Sequence, residues 1–167
     1  NKEGRNFWTY GGDYGENAPS DGNFNINGLL NPNREPHPAL EEVKYTYQEI
    51  CFYIVSNEVT NYQLKIVNRF FFTNLNDYEI YYTINENEKV VRTSILDVKL
   101  EPQEEKIVSI QINDLEPKKA TEYFINLSVI TKVDLPNIPK GFLVAHEQFK
   151  LPIESVEKDQ PSITGDD

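Results

Sequence analysis

Three aromatic side chains near the start of the chain, Trp8, Tyr10 and Tyr14, are the first residues whose spacing could do binding chemistry. The flat faces of sugar rings pack against aromatic rings, so this cluster could form a sugar-stacking platform. The same rings could equally anchor the segment against a neighbouring domain. The sequence alone leaves both interpretations open.

Three carboxylates, Asp13, Glu16 and Asp21, lie among these aromatics. A pair of carboxylates could act as acid and base, and a cluster could bind calcium. The spacing is not that of an EF-hand loop, and acids are common in surface loops. We therefore expect these side chains to be solvated.

Thiol and imidazole chemistry has little support. The chain has one cysteine, Cys51, and two histidines, His37 and His146, and they form no cluster with metal-ligand spacing. Cys51 lies in an apolar run and is predicted to be a small buried side chain.

The composition is that of a folded, acidic protein. The chain has 167 residues, 38% of them hydrophobic, which is enough for one core. A net charge of -11 argues against nucleic acid as a partner. No run approaches the roughly 20 apolar residues of a membrane span, so no membrane is expected, and the composition suits cytoplasm and periplasm equally. Because methionine is absent, we expect a processed protein or a fragment.

The elements that must position these residues follow two patterns. Residues 1–37 are rich in Gly, Asn, Asp and Pro, which favour turns. A structureless segment of this length is typical of loops that belong to a neighbouring domain. Pro38 then opens one predicted helix that ends near Tyr47 or Gln48, with Leu40, Val43 and Tyr47 on an apolar face.

From Glu49 onward, apolar residues alternate with polar ones, which is typical of strands. In the clearest case, Tyr123, Ile125, Leu127 and Val129 share one face. Turn signals separate about seven such segments, among them 51–56, 62–72, 89–98 and 142–151. This pattern predicts a mainly β fold, an immunoglobulin-like antiparallel β-sandwich preceded by an irregular segment and one short helix.

Three blocks of the first half resemble motifs of the large β-galactosidases of glycoside hydrolase family two. They are WTYGGDYG at 8–15, SDGNFNINGL at 20–29, and REPHPAL with EVK at 34–44. The blocks occur in the family's order, which makes them far more specific together than singly. Residues 65–75, 122–124 and 147–149 are also similar to the family, whereas the family often has tryptophan where His146 stands.

The resemblance implies a domain organisation. Residues 1–48 would be the C-terminal tail of a (β/α)8 catalytic barrel, 49–151 an immunoglobulin-like β-sandwich, and 152–167 an acidic linker or tail. The family's two catalytic glutamates lie upstream, so the fragment alone is expected to be inactive. Its sandwich would support the barrel and link it to a later β domain in a parent that hydrolyses terminal β-galactosides.

The resemblance also implies a share of one metal site. Phe24, through its main-chain oxygen, and Asn27, through its side chain, match the positions that hold a sodium ion beside the galactosyl site. The family's magnesium ligands lie upstream, so no cofactor is expected on the fragment itself, although the parent would use magnesium and sodium.

Two alternatives remain. One is an independent carbohydrate-binding or adhesion module that uses Trp8, Tyr10 and Tyr14. The other is a different enzyme of the same family, such as a β-glucuronidase or β-mannosidase, although the first block favours a galactosidase.

Overall fold

A computed structural model describes residues 4, 6–22 and 26–154 of the chain. The chain divides into two compact units, Asn1–Tyr47 and Gln48–Asp167. Among the described residues, no helix is both long enough and apolar enough to cross a membrane.

The described part of the first unit is largely irregular, as predicted, with a 3-10 turn at Gly11–Tyr14 and one helix, α1, at Ala39–Thr46. Pro38 precedes the helix at φ -52°, already in the helical region, because the proline ring restricts φ to such values. The helix ends one residue before the predicted end, with Tyr47 as its C-cap. The ring of Tyr47 is 77% exposed.

The described part of the second unit, residues 48–154, consists of seven strands in two antiparallel sheets, which confirms the predicted fold class. The first sheet has the order β1-β2-β5 and the second the order β4-β3-β6-β7. The strands are β1 Ile50–Glu58, β2 Asn61–Asn68, β3 Tyr78–Glu86, β4 Lys89–Leu96, β5 Glu105–Ile110, β6 Tyr123–Thr131 and β7 Leu143–Lys150.

The strand order is immunoglobulin-like. The first, second and fifth strands share one sheet and the third, sixth and seventh share the other, as in immunoglobulin domains. Strand β4 pairs with β3, whereas in constant-type domains the fourth strand joins the opposite sheet. Tyr123 at the start of β6 donates its hydroxyl to the carbonyl of Glu116, which is the tyrosine corner of this architecture.

The core lies between the two sheets, because each strand turns alternate residues inward. Strand β6 alternates buried and half-buried residues along its whole length, as the sequence pattern predicts. Residues of both sheets belong to one buried cluster, including Leu64 and Ile66 from β2 and Ile80 and Leu127 from the other sheet. The sandwich is therefore held together by a single apolar core.

Some strands end earlier than the apolar runs that predict them. The run 62–72 forms a strand only to Asn68, which is fully buried. Its side-chain amide donates to the carbonyl of Thr73 and accepts from the N–H of Phe70, so the chain turns there. Cys51 also departs from expectation, because it is only half-buried, with its Sγ 3.8 Å from Nη1 of Arg69.

Candidate functional site

The aromatic segment is shaped by the 3-10 turn at Gly11–Tyr14. The N–H of Tyr10 donates to the Asp13 carboxylate at 3.0 Å, and the N–H of Asp13 donates back to the Tyr10 carbonyl at 3.1 Å. Gly11 adopts φ +44°, and a Cβ there would lie 2.8 Å from the carbonyl oxygen of Pro19. Only glycine fits this position without a shift of the backbone.

Tyr10 is tied into the loop by its hydroxyl, which donates to the Asp21 carboxylate at 2.9 Å. This hydrogen bond raises the pKa of Tyr10, because an ionised phenol could no longer donate to the carboxylate. The ring is half-buried. This hydrogen bond therefore connects residues 10 and 21, at the two ends of the loop, and makes Tyr10 a structural partner of the Asp21 carboxylate.

Trp8 and Tyr14 present more of their rings to solvent. Trp8 is 50% exposed and Tyr14 is 74% exposed. The Tyr14 hydroxyl lies 2.7 Å from Oγ1 of Thr9, the residue that follows Trp8. The structure thus joins Tyr14 to the neighbour of Trp8, while the Tyr10 hydroxyl bonds to Asp21.

Asn27, the predicted sodium ligand, is exposed and precedes a short hairpin-like segment at 28–37. Phe24, its predicted companion, lies outside the described residues. The segment is closed by main-chain hydrogen bonds from His37 to the Leu29 carbonyl at 2.9 Å and from Asn31 to the Glu35 carbonyl at 2.8 Å.

The ring of His37 contacts the backbone just after Asn27. Its Nδ1 lies 2.6 Å from the Gly28 carbonyl oxygen, which can only accept, so Nδ1 carries the proton. Its Nε2 lies 2.6 Å from Oδ1 of Asn31. This role of His37 was not predicted from the sequence. The available signal was a histidine between Pro36 and Pro38, two residues that lack an N–H.

Asn27 fits one requirement of a sodium site. Its exposed amide can offer a hard oxygen of the kind that such cations take. Over residues 4, 6–22 and 26–154, no group of three His, Cys, Asp or Glu side chains could hold a metal ion.

Two family models match consecutive parts of the chain. Residues 1–52 match the TIM-barrel domain of glycosyl hydrolases family 2. Residues 64–152 match β-galactosidase domain 4. The first match includes the 3-10 turn at Gly11–Tyr14 and Asn27, and the second includes most of the sandwich.

The curated relatives of this chain are named β-galactosidase. A β-galactosidase of Leuconostoc mesenteroides is 33% identical over 153 residues, which is 90% of this chain and 14% of that protein. A β-galactosidase of Priestia megaterium is 32% identical over 171 residues, 99% of this chain and 16% of that protein. The chain thus spans only about a seventh of the length of these relatives.

Among solved structures, a Bacteroides uniformis β-glucuronidase superposes on 61% of this chain and 12% of its own, with a TM-score of 0.38 and 10% identity. That likeness is too weak to bear on fold or function.

Proposed function

The chain belongs to the β-galactosidase domain 4 family, and on this premise we propose that it forms the junction between the catalytic barrel and the following β-sandwich of a longer β-galactosidase. The observation that carries the proposal is the order of the two matches. A barrel match at 1–52 is followed by a domain 4 match at 64–152 within one chain. The longer protein would hydrolyse terminal β-galactosides.

The share of this chain in that activity is structural. The family that the motifs resemble is retaining, and a retaining glycosidase needs two carboxyl groups about 5–5.5 Å apart on either side of the scissile bond. In this family both are glutamates of earlier barrel strands, upstream of the matching blocks. The sandwich, with its single apolar core, would support the barrel and link it to a later β domain.

Asn27 and Phe24 would contribute to a sodium site of the longer protein. Asn27 would offer its amide oxygen, and Phe24 its main-chain oxygen. The His37 ring contacts the Gly28 carbonyl and the side chain of Asn31. These contacts support the role of Asn27, because they hold the adjacent backbone in place. Sodium bound there would organise the galactosyl pocket by charge, and the magnesium ligands would lie elsewhere.

Two measurements test the proposal. The native polypeptide in extracts should be several-fold larger than 19.4 kDa and should co-elute with galactoside hydrolysis, whereas the 167-residue chain should show no turnover. Turnover by the chain that is lost on mutation of one of its own residues would overturn the structural role.

In the longer protein, Asn27→Ala should raise the sodium concentration needed for half-maximal activity, and the exposed Asn17→Ala should not.

A second candidate is a carbohydrate-binding module, which the exposure of the Trp8 and Tyr14 rings favours. A native polypeptide near 19.4 kDa would support it. In that case Trp8→Ala should abolish glycan binding by the chain, whereas a flat titration of the unmutated chain across many glycans would count against it.

A further inference from the structure

Two phenylalanines project from the loop after β2 into solvent. The aromatic loop, residues 69–73, leaves Phe71 73% exposed and Phe72 96% exposed. Their ring centroids lie 6.4 Å apart with the planes tilted by 45°. Exposed apolar area is unfavourable in water, so two neighbouring exposed rings indicate a surface that another surface covers.

The loop is held by buried and strained residues. Asn68, fully buried, donates to the carbonyls of Thr73 at 2.9 Å and Glu101 at 3.0 Å. Gln103 donates to the carbonyls of Arg69 at 2.6 Å and Phe70 at 3.1 Å. Gln103 itself has φ +64°, a left-handed conformation that is strained for a residue other than glycine.

Phe70, the third ring of the loop, points the other way. It packs against the core and stacks on Tyr78, with ring centroids 6.2 Å apart and an angle of 19° between the planes. The inward ring and the clamped backbone together fix where Phe71 and Phe72 emerge. A rigid aromatic pair binds with less loss of conformational entropy than a mobile one.

The aromatic loop lies beside the point where the chain enters the sandwich. The N–H of Arg69 donates to the carbonyl of Glu49 at 2.8 Å, and Ile50 pairs with Asn68 across the two strands. Glu49 is still within the barrel match, which runs to residue 52. The loop that carries the exposed rings therefore begins beside the residues at which the barrel match ends.

We propose that Phe71 and Phe72 dock into an apolar recess of the barrel of the longer polypeptide, formed by residues outside these 167. The inference rests on the proposed function and names the surface through which the sandwich supports the barrel. A short covalent connection favours this partner over a second copy, because it gives the barrel a high effective concentration at the loop.

Hydroxyl-radical footprinting of the longer polypeptide and of the 167-residue chain tests the docking directly. Phe71 and Phe72 should be labelled about tenfold more slowly in the longer polypeptide, in proportion to the change from exposed to buried. Val90, 52% exposed at the far end of the β3–β4 hairpin, serves as the reference and should be labelled equally in both. Hydrolysis of a chromogenic β-galactoside is measured on the same sample.

Each outcome decides one point. Equal labelling of Phe71 and Phe72 in both samples, with hydrolysis present, overturns the docking and leaves the proposed function standing. Slow labelling without hydrolysis supports the docking and counts against the proposed function. Slow labelling of the 167-residue chain by itself, lost on dilution, assigns the rings to a contact between copies and overturns the docking.

Discussion

The hydroxyl of Tyr123 donates a 2.8 Å hydrogen bond to the main-chain carbonyl of Glu116, seven residues earlier. Tyr123 is fully buried at the start of β6, and Glu116 lies in the connection that crosses from β5 in one sheet to β6 in the other. This contact ties the crossover to the core. Tyr62 of β2 is equally buried, yet its hydroxyl has no hydrogen-bond partner among the residues that the structure describes.

These two tyrosines make a matched pair for mutation. Tyr123→Phe should lower the free energy of unfolding by about 1–2 kcal/mol, because the Glu116 carbonyl loses its donor. Tyr62→Phe should be neutral or stabilising by up to about 1 kcal/mol, because it removes an unsatisfied buried hydroxyl. Urea unfolding of the 167-residue chain measures both. An equal loss of unfolding free energy in the two variants would contradict the difference in hydrogen bonding between the two hydroxyls.

Tyr62 also predicts a loss of stability at high pH. Burial raises its pKa to about 12, whereas an unfolded tyrosine titrates near 10. Below pH 10 the phenol is neutral in both states. Between about 10 and 12 only the unfolded chain ionises, so stability falls as the pH rises through that window. Tyr62→Phe should make the alkaline decline in unfolding free energy shallower, and an unchanged slope would refute the prediction.

Asn68 is expected to be among the most sensitive polar residues of the described sandwich. Asn68→Ala leaves the Thr73 and Glu101 carbonyls and the Phe70 N–H without their partner. The expected loss is about 3 kcal/mol, since each buried unsatisfied group costs about 1–3 kcal/mol. Asn57→Ala, at an exposed position of β1, is the control and should change stability by less than about 0.5 kcal/mol. Similar losses for both would rule out the buried amide as the cause.

Arg92 and Asp114 predict part of the acid sensitivity. Arg92 donates to the Asp114 carboxylate at 2.6 Å and so holds its pKa below the usual range. Because the folded pKa is depressed, the contribution is present above the unfolded pKa of about 3.9 and is lost as the pH falls through the folded value. Arg92→Gln should therefore make unfolding free energy less dependent on pH below about 4. If the unfolding free energy of the variant depends on acid pH as it does in the unmutated chain, the Arg92–Asp114 pair is not coupled to folding.

His37 should control local order around the predicted sodium ligand. His37→Ala removes the ring contacts to Gly28 and Asn31, so the segment at 28–37 should open more often. Hydrogen exchange should become faster at the amides of Asn31 and residue 37. His146→Ala, an exposed substitution on β7, should leave both rates unchanged. Unchanged exchange rates in the His37 variant would show that the main-chain hydrogen bonds are enough to keep the segment at 28–37 closed.

The strands of the sandwich were readable from the sequence because their signal is local. Side chains of a strand alternate between its faces, so the pattern at 123–129 already indicates which residues enter the core. The family motifs were equally local, since WTYGGDYG and REPHPAL are contiguous runs. The roles of Trp8, Tyr14, Phe24 and Asn27 remain predictions, and Phe24 lies outside the described residues.

What the sequence by itself determined is the class of fold, the order of its elements and the family. Only the tertiary structure decided that β2 stops at Asn68 and that Phe71 and Phe72 face solvent. It also decided that, within the described part of the chain, the Tyr123 hydroxyl has a hydrogen-bond partner and the Tyr62 hydroxyl has none. The physical reason is sequence distance. The carbonyl of Glu101 that Asn68 binds is 33 residues away, and no local pattern encodes a partner that only folding brings near.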